Sequence, residues 1–155
     1  MAIQADGKAT TTQNTFRMEV AVGITIQAPP AKVWALLTNA EDFPRWNSTV
    51  QSIQGKIAPG ETIQLCAKIA PDRTFKLRVT TFQPGERMVW EDGTPLFRGV
   101  RQYTLTSRSN GATEVTMAET FSGLMLPMIA GSLPDQGPSF EQYLADLKAE
   151  AERGA

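Results

Sequence analysis

The chain has no histidine at all, and a single cysteine, Cys66, among its 155 residues. Histidine is the usual general base at neutral pH, the usual activator of serine and cysteine nucleophiles, and the commonest metal ligand. Its absence excludes hydrolases that depend on such a partner, and we expect neither a metal nor another cofactor. A lone cysteine cannot form an internal disulfide, which favours a reducing compartment and a cytoplasmic location.

The chain also lacks an excess of charge of either sign and a long apolar run. Lysine and arginine together number 15, against 16 for aspartate and glutamate. No net electrostatic field therefore favours nucleic acid or an anionic membrane. Because no apolar segment is long enough to span a bilayer, we expect no stable membrane insertion and no nucleic-acid partner. A homodimer is compatible with the sequence.

Length and composition predict one domain preceded by a short arm. Residues 1–15 are polar and threonine-rich, which predicts a flexible N-terminal arm. A chain of this size buries roughly 68–70% of its unfolded surface, which is enough for one core but not for two. We therefore expect a single domain over residues 16–155.

The first part of that domain predicts a strand followed by two short helices. From Phe16 to Ile26 apolar and polar residues alternate, which indicates a half-buried strand. The prolines at 29 and 30 end this strand and suit the start of a helix over Ala31–Thr38. A second short helical turn carries Phe43 and Trp46.

The rest of the domain predicts six more strands and a C-terminal helix. Because the connections between strands are too short for parallel crossovers, we expect antiparallel hairpins and an α+β fold. Ser139 is predicted to cap a helix over Phe140–Glu152, and Pro134–Pro138 interrupt a helix that begins near Leu124. The predicted strands are Ser48–Gln54, Thr62–Ile69, Arg73–Phe82, Arg87–Glu91, Phe97–Ser107 and Thr113–Phe121.

The sequence predicts which residues pair in the last hairpin. Only one of the two possible alignments of its strands puts the apolar residues of both on the same face. A three-residue loop over 109–111, with Gly111 in the left-handed conformation, pairs Leu105 with Val115 and Tyr103 with Met117. A two-residue loop would instead set apolar residues against polar ones. We therefore predict the three-residue loop.

The same register places Arg101 opposite Glu119 on the concave face of the sheet. Two charges inside a protein are costly unless they are paired or hydrated, so this placement predicts an ion pair, a wet cavity, or both. One interpretation makes the pair the polar end of a ligand site. The other makes it a structural ion pair at the rim of the sheet, and the sequence leaves both open.

The preceding hairpin supplies further inward-facing residues. In the strand before the turn, Phe75, Leu77, Val79 and Thr81 are predicted to point inward. A two-residue turn at Pro84-Gly85 would place Thr81 across from Met88 and Val79 across from Trp90. These residues form either the lining of a hollow or an ordinary core, and alternation alone does not separate the two.

Several segments resemble a known family when they are taken in order. They are Ile24–Thr38 at the end of the first strand and through the first helix, Phe43–Asn47 in the second helix, and then Val89-Trp90, Arg98–Leu105 and Glu119–Gly123 in the later strands. Together they resemble the START-like, or SRPBCC, superfamily, which includes polyketide cyclase-like and Bet v 1-like proteins.

The resemblance covers about Met18 to Glu152 and implies the helix-grip fold. In that fold a seven-stranded, curved antiparallel sheet surrounds a C-terminal helix, two short helices follow strand 1, and a deep cavity lies between sheet and helix. Members bind or carry lipids, sterols and polyketides; a few catalyse cyclisation or dehydration, and some regulate chaperones. Two departures stand out here, since many relatives have histidine where Arg101 stands, and Pro134–Pro138 break the usual long helix.

Three functions follow from these observations. The first is binding or transport of a hydrophobic small molecule such as a lipid, a polyketide or an aromatic compound, with Arg101 pairing an acidic group. The second is a cyclase or dehydratase that uses Glu119 as base, with Arg101 and Tyr103 as polarising groups. The predicted ligand-binding residues are Val79, Trp90, Arg101, Tyr103, Met117, Glu119, Phe121, Phe140 and Leu144.

The third function is a protein-interaction or chaperone-regulator domain that acts through its outer surface. Arg17, Lys76, Arg78 and Arg108 would then form a basic stripe on the outer face of the sheet, although such residues are more often simply solvated. Cys66 has no histidine partner and is predicted to be a small packed residue rather than a nucleophile.

Overall fold

The computed structural model describes residues 3–153, and this range folds as an α+β domain. Met1 and Ala2 of the predicted arm, and Gly154 and Ala155 of the predicted domain, lie outside the described residues. The strands are β1 (Thr10–Gln13), β2 (Arg17–Ile26), β3 (Val50–Gln54), β4 (Thr62–Ala67), β5 (Phe75–Gln83), β6 (Arg87–Thr94), β7 (Phe97–Ser107) and β8 (Thr113–Ser122). The helices are α1 (Pro30–Leu37), α2 (Phe43–Trp46), α3 (Leu126–Ile129) and α4 (Gly137–Glu152), with 3-10 turns at Ala40–Asp42 and Ala130–Ser132.

The strands form one antiparallel sheet in the order β1-β2-β8-β7-β6-β5-β4-β3. Within residues 3–153 the sheet has eight strands, so the expectation of seven was wrong by one. The additional strand comes from the segment predicted as a flexible arm, where Thr10–Gln13 pairs with β2. The backbone N–H of Ala9 also donates to Glu141 Oε2 at 2.8 Å, which ties this segment to α4.

Helix α4 packs across the concave face of the sheet and buries its apolar stripe there. Phe140, Tyr143, Leu144 and Leu147 are all buried in the core cluster. The helix begins at Gly137, so the prediction that Ser139 caps it was wrong. Proline suits the first turn of a helix, and Pro138 allows the start to move upstream of Ser139.

The predicted register of the β7–β8 hairpin is confirmed. Leu105 pairs with Val115, and Tyr103 pairs with Met117. The backbone N–H of Arg108 donates to the carbonyl of Ala112 at 2.9 Å, which closes the three-residue loop. Gly111 in that loop has φ of 84°, the left-handed conformation that the loop requires.

The β5–β6 hairpin follows its predicted register in part. Val79 pairs with Trp90 as predicted, but Thr81 pairs with Val89 rather than with Met88. The connection is one residue longer than expected, and a β-bulge between Val79 and Thr81 compensates for the extra residue. Between the bulge and the turn, the alternation of inward and outward side chains is shifted by one residue. Phe82 rather than Thr81 therefore packs against the core.

The connection between β8 and α4 is interrupted, as the prolines predict. It consists of α3, the 3-10 turn and an extended residue, Leu133, with φ of −74° and ψ of 134°. Gly123 stands at its start with φ of 131°, and a Cβ atom there would collide with the carbonyl oxygen of Leu96. The chain therefore needs glycine at this point, where the β6–β7 turn and the end of β8 touch.

The substitution Gly123→Ala is expected to lower the free energy of unfolding by more than about 1 kcal/mol, because alanine strains the backbone and overlaps Leu96. Urea unfolding of the two proteins measures this difference. Gly131→Ala is the control, since a Cβ atom at Gly131 meets no described atom within 4 Å. Equal midpoints for the two variants would contradict the packing described for Gly123.

Candidate functional site

A cavity of about 240 Å³ lies between the concave face of the sheet and the first half of α4. An apolar cavity of about 150 Å³ accommodates benzene, whereas sites for drug-sized ligands have volumes of about 300 Å³ or more. The space therefore suits a compact molecule of more than one ring. Its wall is formed by β3 to β8, by the β4–β5 loop, by α4 and by the segment before α4; among the lining residues are Leu65, Phe75, Leu77, Trp90, Phe97, Phe121, Pro134 and Phe140.

Arg101 and Glu119 face each other on the cavity wall, as predicted. They are cross-strand partners in β7 and β8, and Arg101 Nε donates to Glu119 Oε1 at 2.6 Å. Their side chains are 12% and 14% exposed, so the pair is largely but not completely desolvated. The guanidinium carbon lies 5.1 Å from the ring centre of Phe140 in α4, a cation–π distance.

The ion pair keeps Arg101 charged. Burial by itself would lower the pKa of the guanidinium, but the negative charge of Glu119 and the neighbouring tyrosines Tyr103 and Tyr143 outweigh that effect and raise the pKa. Glu119 accepts the Nε–H, and the Tyr103 hydroxyl is a second hydrogen-bonding neighbour of the guanidinium. A guanidinium has five N–H donors, so others remain that can donate to a ligand in the cavity.

A pair of tyrosines borders this charged group. The hydroxyl oxygens of Tyr103 and Tyr143 lie 2.7 Å apart, and both residues are buried. Burial raises the pKa of both phenols, so both stay neutral at physiological pH. One hydroxyl donates to the other, and Tyr143 lines the cavity whereas Tyr103 does not.

A second acidic residue, Asp92, lines the cavity near Gly99 of the neighbouring strand. Burial raises the pKa of Asp92, and the charge of Glu119 raises it further, while Arg73 lowers it to a lesser degree. Arg73 also lines the cavity, and its guanidinium carbon lies 5.1 Å from the ring centre of Phe75. The polar part of the wall thus contains two basic and two acidic side chains.

Two polar atoms of the lining residues are buried without a partner in the part of the chain that the structure describes. They are the indole Nε1 of Trp90 and the Oε1 of Gln136. Buried polar groups in native proteins nearly always have a hydrogen-bond partner. Neither atom has accessible surface, so both lie behind the cavity surface rather than on it.

The structure divides the predicted ligand-binding residues into two groups. Five of them line the cavity, namely Trp90, Arg101, Glu119, Phe121 and Phe140. The other four are buried in the core outside the cavity wall, namely Val79, Tyr103, Met117 and Leu144. Alternation along a strand gives the face of a residue but not its position between cavity and core.

Sequence reasoning did not select four polar residues of the wall. Asp92 continues the inward parity of Met88 and Trp90, but the predicted strand ended at Glu91. Tyr143 was recognised only as part of the apolar stripe of the helix. Arg73 was the first residue of the predicted strand Arg73–Phe82, but β5 begins at Phe75, so that boundary was wrong and Arg73 lies in the loop before the strand. Gln136 lies outside the regular elements, where no periodicity marks the direction of a side chain.

The outer basic residues do not form a free stripe. Arg17 pairs with Glu19, and Arg108 pairs with Glu114, while Lys76 and Arg78 are exposed on β5.

Cys66 is half-buried, and its sulfur lies 3.4 Å from the carbonyl oxygen of Pro71. Among residues 3–153, no group of three or more histidine, cysteine, aspartate or glutamate residues is placed to hold a metal ion. No helix within the same range has the length and apolar character needed to cross a membrane.

The comparisons with known proteins agree with this architecture. A family model described as "Polyketide cyclase / dehydrase and lipid transport" matches residues 7–152. No curated protein matches the chain.

Solved structures of similar fold come from several bacteria. The Zhui aromatase/cyclase from Streptomyces sp. R1128 is 14% identical, with a TM-score of 0.69 over 88% of this chain and 94% of that chain. A START superfamily protein from Mycobacterium smegmatis is 13% identical, with a TM-score of 0.66 over 88% and 99% of the two chains. Protein MLL2253 from Mesorhizobium loti is 21% identical, with a TM-score of 0.67 over 88% and 98%. At these identities the similarity shows a shared fold.

The substitution Asp92→Asn is expected to raise the free energy of unfolding near neutral pH. The pKa of Asp92 is higher in the folded protein than in the unfolded chain, so its ionisation destabilises the fold as the pH rises through the folded-state pKa. Asparagine removes that penalty, and the gain should vanish below the unfolded-state pKa of about 4.

Urea unfolding from about pH 4 to about pH 8 measures this effect. Asp72→Asn is the matched control, because Asp72 is exposed in the β4–β5 loop. A gain for Asp92→Asn that grows toward acid, or that Asp72→Asn reproduces, would contradict the description of Asp92.

Proposed function

The chain belongs to the polyketide cyclase / dehydrase and lipid transport family, and we propose that it binds a compact hydrophobic molecule carrying one carboxylate or comparable anionic group. The observation that supports this most strongly is Arg101. It is a charged side chain only 12% exposed, it lines the cavity, and Glu119 accepts its Nε–H, so that other N–H donors of the guanidinium remain for a ligand. An arginine held in this way presents a planar set of donors that matches a carboxylate.

The rest of the wall fits the apolar part of such a ligand. Phe121 and Phe140 give the wall aromatic surface, and the Phe140 ring centre lies 5.1 Å from the guanidinium carbon of Arg101. A volume of about 240 Å³ favours a bicyclic aromatic compound over a long-chain lipid. Glu119 accepts the Nε–H of Arg101, which fixes the position of the guanidinium on the cavity wall.

The geometry gives less support to the cyclase or dehydratase alternative. A base at Glu119 would need a free carboxylate, but its Oε1 already accepts a hydrogen bond from Arg101 at 2.6 Å. The proposed polarising group Tyr103 lies behind the wall with its hydroxyl bonded to Tyr143. The protein-interaction alternative rested on a basic outer stripe, and two of its four residues are in ion pairs.

Two probes of nearly equal shape test the proposal. Naphthalene-2-carboxylate is anionic, and naphthalene-2-carboxamide is neutral. A hydrogen bond to a charged group contributes about 1.5–3 kcal/mol, so calorimetry should show the carboxylate binding roughly 10- to 100-fold more tightly than the amide. Equal affinities in the unmodified protein would contradict an anion site.

The double variant Arg101→Gln, Glu119→Gln should lose this preference. Replacing both partners avoids leaving one buried charge without the other, which would itself destabilise the protein. Arg98→Gln is the matched control, because Arg98 lies on the same strand but is exposed and pairs with Glu91. A double variant that still prefers the carboxylate would show that Arg101 does not bind the anion.

A further inference from the structure

The carboxyl group of Asp92 is an accessible acceptor on the cavity wall that the fold itself does not use. Asp92 is half-buried near the end of β6, and its side chain lines the cavity. Within residues 3–153 no hydrogen bond or ion pair engages this carboxyl group, and its oxygens retain accessible surface. A molecule in the cavity can therefore reach them.

Asp92 occupies this position at a cost to the fold. Burial raises the pKa of its carboxyl group, and the charge of Glu119 raises it further. Arg73 opposes these effects only in part, because its guanidinium lies over the ring of Phe75 and forms no ion pair with Asp92 in the described range. Ionisable groups that burial and neighbouring charges perturb in this way are concentrated at functional sites.

Gly99 keeps the space beside the carboxyl group open. It is the cross-strand partner of Asp92 in β7, and its φ lies outside the left-handed region, so the backbone there does not require glycine. A Cβ atom at Gly99 would lie 3.1 Å from Asp92 Oδ1 and 3.7 Å from the ring of Phe121. The wall thus carries no side chain between Asp92 and Phe121. A glycine inside a strand often marks a place where a ligand approaches the backbone closely.

The position of Asp92 relative to Arg101 defines how a ligand would lie. Arg101 follows Gly99 by two residues and faces the same side of the sheet, which makes it a diagonal neighbour of Asp92. Such neighbours are about 7–8 Å apart, a distance comparable with the length of a bicyclic ring system. Since Asp92 and Glu119 would repel a ligand carboxylate, the anionic group belongs at Arg101, and the other end of the ligand belongs at Asp92.

We propose that Asp92 is a specificity-determining residue that accepts a hydrogen bond from a hydroxyl group on the ligand. This inference rests on the function proposed above and narrows the ligand to hydroxylated aromatic carboxylic acids. A phenolic hydroxyl is uncharged at neutral pH and donates one hydrogen bond, which a carboxylate accepts strongly. A ligand ammonium group fits this wall less well, because Arg73 and Arg101 line the same cavity.

Four hydroxy derivatives of naphthalene-2-carboxylate, with the hydroxyl at carbon 5, 6, 7 or 8, test the inference. Calorimetry near neutral pH compares the affinity of each derivative with that of the unsubstituted compound. Because the new hydrogen bond involves a charged acceptor, at least one derivative should bind roughly 10-fold more tightly. If all four bind no more tightly than the unsubstituted compound, the role of Asp92 is wrong.

Variants of Asp92 show whether the gain depends on this residue. Asp92→Leu removes the acceptor and should abolish the advantage of the hydroxyl, whereas Asp92→Asn keeps one uncharged acceptor oxygen and should retain part of it. Glu91→Gln is the matched control, because Glu91 precedes Asp92 in β6 but pairs with Arg98 and does not line the cavity. An advantage that survives in Asp92→Leu would overturn the inference.

The pKa of Asp92 in the unmodified protein gives a readout that a merely structural role would not change. Carbon-13 resonance of the aspartate carboxyl groups follows this pKa, and the signal missing from Asp92→Asn identifies Asp92. A hydrogen-bond donor favours the charged form, so the tightest hydroxy derivative should lower the pKa of Asp92 relative to the complex with naphthalene-2-carboxylate, which has the same charge. Equal pKa values in the two complexes would contradict the hydrogen bond, even if Asp92→Leu does not fold.

The outcomes distinguish this inference from the proposed function. If naphthalene-2-carboxylate binds more tightly than its amide but no hydroxyl improves binding, the role of Asp92 is wrong and the proposed function stands. If none of the carboxylates binds, the proposed function fails and the role of Asp92 fails with it.

Discussion

The contact between Arg101 and Glu119 is the interaction on which the rest of the site depends. A buried ion pair rarely stabilises a fold more than apolar residues of similar size would, because removing two charges from water is costly. Here the two side chains keep a small exposed fraction, 12% and 14%, and it opens on the cavity. The pair thus makes one region of the interior polar, and it fixes the position of the Arg101 guanidinium on the cavity wall.

The interior between sheet and helix has two parts, and the tyrosine pair lies at their boundary. Tyr143 lines the cavity and bonds to Tyr103, which belongs to the fully buried core together with Val79 and Leu144. The break before α4 matters to the cavity, because a non-helical segment that contains the extended Leu133 and Pro134 forms part of the cavity wall. The hollow is therefore short and lies at one end of the sheet, which limits the size of its occupant.

The features that could be predicted from the sequence are those that local residue patterns determine. Gly111 and the parity of two apolar strands were enough to set the last hairpin, and with it the facing of Arg101 and Glu119. The bulge after Val79 could not be predicted, because a one-residue difference in the turn leaves the hydrophobic pattern of each strand unchanged. Whether an inward-facing residue lies on the cavity wall or in the core could not be predicted either, since this depends on where α4 packs. Gln136 shows the same limit, because its direction is set by the segment that leads into α4.

We propose that the cavity is an anion-binding site built on one ion pair, and a crystal structure with bound naphthalene-2-carboxylate tests this most directly. We expect the carboxylate within hydrogen-bonding distance of the terminal nitrogens of Arg101, with Glu119 still bonded to Nε and the rings between Phe121 and Phe140. A carboxylate that points toward the solvent, or a ligand that displaces Glu119 from Arg101, would contradict it.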